Sequence, residues 1–204
     1  MRTTKARRQW ETTAEEAAGC TRCPLFADAT ATVFGEGPVP APIMLVGEQP
    51  GDREDLAGRP FVGPAGALLD RCIEEAGGHR EEMYLTNVVK HFKFEPRGKR
   101  RIHQTPDRSE VDACGLWLDR ELELVSPRLV VFLGATAAQA RLGRSFRVTK
   151  QRGQPVDSDL AEHVVATVHP SSILRGPEEA RHEGRAALVA DLRAAFTLVE
   201  GSGA

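Results

Sequence analysis

Four short segments of this chain place polar or aromatic side chains in glycine- or proline-rich turns or at the ends of apolar runs. Gly47-Glu48-Gln49-Pro50-Gly51-Asp52 follows the apolar run Ile43–Val46. A glycine-rich turn lets backbone come close to a ligand, and Glu48 and Gln49 bring a carboxylate and an amide to its mouth. Gly58-Arg59-Pro60-Phe61-Val62-Gly63-Pro64-Ala65-Gly66 leads into a helical pattern. Its amides could hold a phosphate, and Phe61 either offers a stacking face or fills the core. His169-Pro170-Ser171-Ser172-Ile173-Leu174-Arg175 follows Val164–Val168. That arrangement suits an imidazole over a substrate with hydroxyls toward a phosphate, and equally a capped helix with a satisfied histidine. The fourth segment, Asn87-Val88-Val89-Lys90-His91, closes the run that starts at Met83.

The four cysteines are Cys20, Cys23, Cys72 and Cys114. Cys20 and Cys23 form a C-x-x-C pair. Cys72 lies in the helical pattern LLDRCIEEAG and reads as an inert buried thiol. Cys114 lies in a second helical pattern, EVDACGLWL. In a reducing compartment these are not expected to pair as disulfides.

Elements that position these residues alternate along the chain. Ile43–Val46, Met83–Val89, Leu129–Leu133 and Val164–Val168 read as buried strands. Helical patterns fall at 66–76, 107–125, 136–142 and 177–198. This order predicts a single-domain α/β/α sandwich around a central four-stranded parallel sheet, with binding residues at the carboxyl ends of the strands. The domain is expected over 9–199, with frayed ends at 1–8 and 200–204. Residues 92–106 read as a long polar insertion without periodicity.

The chain has 204 residues, 41% hydrophobic and 27% charged, enough to bury a core and too apolar for global disorder. Its net charge of −2 excludes a uniformly basic coat. The distribution is uneven: seven Lys or Arg between Lys90 and Arg108 face only Glu95 and Asp107. Such a patch is either a nucleic-acid contact or a solvated loop. No apolar run approaches the roughly 18 residues of a membrane span. No hydrophobic stretch follows Arg7-Arg8, so a cytoplasmic protein is expected. Nothing in the sequence points beyond a monomer.

Taken as a set, GEQPG, GRPFVGPAG, TNVVK and HPSSILR resemble the uracil-DNA glycosylase superfamily, most of all its iron–sulfur branch, family 4. The resemblance runs from Cys20 to about residue 197. Family 4 has Ala where Gln49 stands, and Cys where His91 stands. Its loop after that point is shorter than the one carrying Lys99-Arg100-Arg101-Ile102-His103. In all three respects the chain is similar to the UdgX group, whose members bind uracil-containing DNA through a covalent bond from the loop histidine.

The resemblance implies that Cys20, Cys23, His91 and Cys114 hold a [4Fe-4S] cluster in a structural role. Three cysteines and a histidine also suit zinc, the alternative. It implies that Gly47, Gly51, Asp52, Phe61 and Asn87 surround the uracil, with Phe61 stacking on the ring and Asn87 pairing with its polar edge. Gly51 stands where another branch has a bulky tyrosine that excludes thymine, so exclusion must arise elsewhere. Catalytic roles fall to His169, Glu48, Gln49 and His103. His103 is expected to bond the sugar C1′ after uracil excision, so that the protein acts once and stays attached. An ordinary turning-over family 4 enzyme is the alternative, and a non-catalytic metal-clamped nucleic-acid-binding module the remote one. The partner is uracil-containing DNA, single-stranded or with the base flipped out, and free uracil is a product. Lys99, Arg100, Arg101, Ser171, Ser172 and Arg175 are the expected DNA contacts.

Overall fold

A computed structural model describes residues 2–200. In chain order the elements are α1 (Arg2–Ala18), β1 (Ile43–Gly47), α2 (Asp52–Ala57), α3 (Pro64–Glu75), β2 (Met83–Asn87), β3 (Phe94–Arg97), β4 (Arg100–His103), α4 (Arg108–Val125), β5 (Leu129–Leu133), α5 (Ala135–Leu142), α6 (Val148–Gln151), β6 (His163–Thr167), α7 (Pro170–Arg175) and α8 (Glu178–Glu200). Four strands form one parallel sheet in the order β2-β1-β5-β6. Every residue of β1, β2 and β5 is buried, as expected when helices cover both faces.

Alternation along the strands sorts the side chains between two cores. Met44, Val46, Tyr84 and Phe132 pack toward residues of α1, α4 and α5, among them Ala17, Trp117, Leu118 and Ala138. Ile43, Leu45, Leu85 and Val131 pack toward Leu69 and Ile73 of α3 and Leu188 and Leu192 of α8. On α3 the buried Leu68, Leu69, Cys72 and Ile73 recur at helical spacing, so one stripe meets the sheet. Each fully buried aliphatic side chain of this kind contributes about 1.5–3 kcal/mol. The start of α4 is fixed by a capping box, in which the Glu110 carboxylate accepts the Asp107 amide at 2.6 Å.

Two expectations need correction. The segment 1–8 is helical from Arg2 onward, as part of α1. Ala6, Trp10, Ala14 and Ala17 lie against the core at helical spacing, a stripe masked in the sequence by the charged and polar residues between them. Met1 and residues 201–204 lie outside the described residues, and Glu200 ends α8. Residues 92–106, read as an aperiodic loop, contain the antiparallel hairpin β3–β4. Its turn needs Gly98, which adopts φ +62°. Among the described residues no helix is long and apolar enough to cross a membrane.

Candidate active site

At the carboxyl ends of the sheet strands Asn87, Phe61, His169 and Glu48 gather near Gly47, and the space they surround is the sheet-end hollow. Gly47 ends β1, and a Cβ there would stand 2.3 Å from Asn87 Oδ1 and 2.7 Å from Phe61 Cζ. The missing side chain is what lets the amide and the aromatic ring converge. Asn87, at the end of β2, is buried. The chain beyond it stays pinned to β1, because the Val88 and Val89 amides donate to the Gly47 and Glu48 carbonyls at 2.9 and 3.0 Å. Phe61 is buried with φ +55°, a left-handed conformation unfavourable for a side chain of this size. Its surroundings hold it there: Arg80 donates to its carbonyl at 3.3 Å, and Gly66 packs so tightly beneath that a Cβ would overlap that oxygen. The Phe61 ring faces His169, with centroids 6.3 Å apart and planes 25° from parallel.

His169 enters from the turn after β6. The Ser171 amide donates to Nδ1 at 3.1 Å, and Ser171 Oγ lies 2.8 Å from the same nitrogen. An amide can only donate, so Nδ1 is the acceptor and the ring proton of the neutral form sits on Nε2. Arg175 donates to Ser171 Oγ at 3.1 Å, and Ser172 Oγ donates to the His169 carbonyl at 2.7 Å. Ser171, Ser172 and Arg175 therefore first serve the histidine. Burial is the main cause that lowers the His169 pKa to about 4; Glu48 opposes this, and Arg175 and His103 reinforce it. The ring is neutral at pH 7.

Burial by itself would raise the Glu48 pKa, but hydrogen bonds from His103 and Thr136 and electrostatic interaction with His103 and His169 bring it below its ordinary value. Glu48 is thus a carboxylate poised between two imidazoles. Thr136 was not singled out from the sequence, though its place just after the strand-ending Gly134 was a usable signal.

His103 reaches this site from the hairpin. Its Nε2 lies 3.3 Å from Glu48 Oε1, and its ring stands against Phe92. Gln49 closes the base of the same hairpin. Its Nε2 donates to the Lys93 and Gln104 carbonyls at 3.2 and 2.9 Å, and its Oε1 accepts from the Lys93 amide at 3.0 Å. The carboxamide thus spans both ends of the insertion rather than facing the hollow.

The basic segment is largely neutralised. Lys90 pairs with Glu121 in the core, Lys93 with Asp107 and Glu110, and Arg108 with Asp112. Arg101, expected among the DNA contacts, instead anchors the hairpin to α2. It binds Asp52 at 2.6 Å and the buried Asp55 at 2.5 Å, and it stacks over Phe94. Asp52, expected around the uracil, accepts from Arg101 through its carboxylate. Lys99 and Arg100 are exposed and carry no ion pair among the described residues. Gly51 lies beside the hollow, and its amide donates to Glu54 Oε2 at 3.1 Å. The Gly63 amide donates to the other oxygen of Glu54 at 2.7 Å, so one buried carboxylate ties both glycine turns.

Away from the hollow, Cys20, Cys23 and Cys114 are close enough for their charges to influence one another. Trp117 donates to Cys20 Sγ at 3.1 Å, and the Lys90 amide donates to Cys114 Sγ at 3.2 Å. Burial raises the Cys23 thiol and pushes that of Cys114 up to about 11. His91 Nε2 meets Thr32 Oγ1 at 2.9 Å, whereas Nδ1 is buried with no protein partner. Among the described residues no three His, Cys, Asp or Glu side chains close round a single metal ion. Cys72 lies apart on α3, buried.

Comparison with known proteins bears on this arrangement. Residues 34–193 match the family model of the uracil DNA glycosylase superfamily. The chain is 39% identical over 194 residues to a type-4 uracil-DNA glycosylase of Thermotoga maritima, covering 95% of this chain and 96% of that protein. It is 38% identical to a type-4 uracil-DNA glycosylase of Sulfurisphaera tokodaii, covering 80% and 74% of the two chains. A type-5 uracil-DNA glycosylase of Pyrobaculum aerophilum is 30% identical, over 76% of this chain and 79% of that one.

Proposed function

The chain belongs to the uracil-DNA glycosylase superfamily, and from that premise we propose that it cleaves the N-glycosidic bond of deoxyuridine in DNA. The convergence of Asn87, Phe61, His169 and Glu48 on the side-chain-free Gly47 carries this reading. A uracil flipped out of its strand stacks on Phe61. The Asn87 carboxamide pairs one donor and one acceptor with O4 and N3–H, a pattern cytosine does not offer. His169 donates Nε2–H to O2. As the C1′–N1 bond breaks, its electron pair leaves with uracil, and the neutral imidazole stabilises the charge growing on O2. Glu48, an anion at neutral pH, faces the positive sugar. Water oriented by Glu48 then adds to C1′ and yields an abasic site.

A second reading has a specific observation behind it, the 3.3 Å approach of His103 Nε2 to Glu48. Here Glu48 takes the Nε2 proton of the His103 imidazolium, Nδ1 keeps its own, the electron pair freed on Nε2 bonds C1′ in place of water, and uracil departs with the glycosidic pair. The protein then acts once and stays attached. The type-4 relatives support turnover at least as well as capture. A labelled uracil-containing oligonucleotide, with a thymine control, separates the two on a denaturing gel. A uracil-dependent band that survives SDS and heat, and that His103→Ser abolishes while uracil release persists, establishes capture. Free uracil without the band establishes turnover. Neither product overturns the glycosylase reading.

Lys99, Arg100 and Arg175 are the proposed phosphate contacts, as exposed cations on the hairpin and on α7. Cys20, Cys23, His91 and Cys114 are the proposed holders of a [4Fe-4S] cluster. The thiols gather without forming a single-ion cage, and the partnerless Nδ1 of His91 offers a fourth donor. A bound cluster would supply a cross-link between the N-terminal segment, the turn after β2 and α4. Stoichiometric iron with visible absorption is the expected analysis; colourless protein holding one zinc would overturn it.

A further inference from the structure

Behind Asn87 lies a charged group that the chemistry above does not use. Lys90 and Glu121 are both fully buried and form an ion pair. The three protons of the Lys90 ammonium meet three acceptors: Glu121 Oε2, Thr86 Oγ1 at 2.6 Å and the Asn87 carbonyl at 2.7 Å. Glu121 in turn accepts from the Gly35 amide, the Tyr84 hydroxyl and Thr86 Oγ1, each at 2.9 Å. Tyr84 accepts from Trp10 of α1 at 2.7 Å. A buried ion pair is a poor way to gain stability, because desolvation offsets most of the attraction. Its position suggests a different use.

β2 is an outer strand of the sheet. Its inner edge bonds β1, and Glu36 covers its outer edge only at Leu85, by two hydrogen bonds of 2.8 and 2.9 Å. Asn87 is two residues further on, so strand alternation turns its own carbonyl to that same outer edge. Among the described residues no strand lies there to receive it. The Lys90 ammonium does so instead.

We propose that Lys90 is a positioning residue for base recognition: its ammonium, oriented by Glu121 and Thr86, fixes the Asn87 carbonyl and thereby the angle at which the Asn87 carboxamide meets the base. This rests on the reading of Asn87 as the residue that pairs with uracil. Without the ammonium the Asn87 carbonyl is a buried acceptor with no partner. The peptide then gains by rotating, and the Cα–Cβ bond turns with it. A small misplacement of a recognition group is costly, on the order of 100-fold in rate for about 1 Å.

The test is a double-mutant cycle on the full chain. Lys90→Met alone leaves Glu121 unpaired in the core, so the variant is Lys90→Met with Glu121→Gln, whose amide oxygen still accepts from Gly35 and Tyr84. Release of uracil from a single-stranded oligonucleotide is measured under subsaturating conditions in the native and Asn87→Ala backgrounds, with thermal melting alongside. The expected result is a loss of roughly 10- to 100-fold in the native background and of no more than about twofold once Asn87 is gone. Equal losses in both backgrounds would make the pair merely structural and overturn the proposal, as would no loss in either. Lys90→Arg keeps the buried pair but displaces the donor, and must show the same contrast without an unpaired charge. If the native chain releases uracil but Asn87→Ala does so equally well, Asn87 is not the reader and the proposal falls with it. If the native chain releases none, it is the glycosylase reading that fails.

Discussion

The sheet-end hollow and the β3–β4 hairpin meet at Glu48, yet they are built on opposite principles. In the hollow, Asn87, Phe61 and His169 are each locked by backbone hydrogen bonds or by tight packing against glycine. The hairpin is a two-stranded ribbon with mostly exposed residues, tied down at its base by Gln49 and at its middle by Arg101. Two strands alone are marginal in water, so these two attachments determine whether His103 reaches Glu48. Recognition and charge stabilisation belong to the rigid part. The side chain that competes with water for C1′ belongs to an arm that can be detuned without touching the rest.

Experiments of decreasing effect sharpen that contrast. His169→Ala should lower uracil release by roughly 10²- to 10³-fold, the cost of losing a donor to developing negative charge; single-turnover release shows it, and a loss below tenfold would move O2 stabilisation elsewhere. The same residue sets an acid limit on stability. The folded-state pKa of about 4 lies below the ordinary 6.5, so between these values the unfolded chain binds a proton that the folded chain does not. Stability should therefore fall as pH drops from 6.5 toward 4, by on the order of 3 kcal/mol. Glu48, whose folded pKa is also depressed, adds a further loss below about 4.5. Urea unfolding at pH 7 and pH 4.5 measures the slope, and His169→Ala should flatten it.

Arg101→Leu comes next. It deprives the buried Asp55 of its cation and should cost about 2 kcal/mol, read as a lowered melting temperature; an unchanged one would show that the hairpin needs no such anchor. Gln49→Ala should slow any His103-dependent adduct by about tenfold, the weight of about 1.4 kcal/mol of lost clasp, and leave uracil release nearly intact. A parallel fall in both would mean that hollow and hairpin are one unit. The smallest effect belongs to Lys99→Ala with Arg100→Ala. If both touch single-strand phosphates, the slope of log affinity against log salt should become shallower by about 1.4; an unchanged slope removes them from the interface.

Much of the hollow was legible because parallel strands and glycine turns write themselves plainly. Four apolar runs placed the sheet, and Glu48, Asn87 and His169 stood at the ends of three of them. The hairpin was not legible. Pro96 argues against a strand, and it is tolerated only because both strands of a two-stranded ribbon are edges. Charge misled for a related reason: the sequence shows that Lys90, Lys93 and Arg101 are basic, but not that carboxylates from as far away as Asp52 and Glu121 claim them. Partners distant in sequence carry no local signal. Helix α1 was hidden likewise, since its apolar stripe of Ala6, Trp10 and Ala14 is sparse and has meaning only against the core it covers.

Glu54 has a consequence for what this pocket can become. One carboxylate grips the amides of Gly51 and Gly63, and a Cβ at either glycine would stand within 3 Å of it. Any side chain acquired at position 51 must first evict Glu54, which releases the turn at Gly63 as well. Gly51, Glu54 and Gly63 are therefore coupled through one carboxylate. A substitution at Gly51 is thus felt at Gly63 too, because the carboxylate that must shift to admit a Cβ at the first glycine also holds the amide of the second.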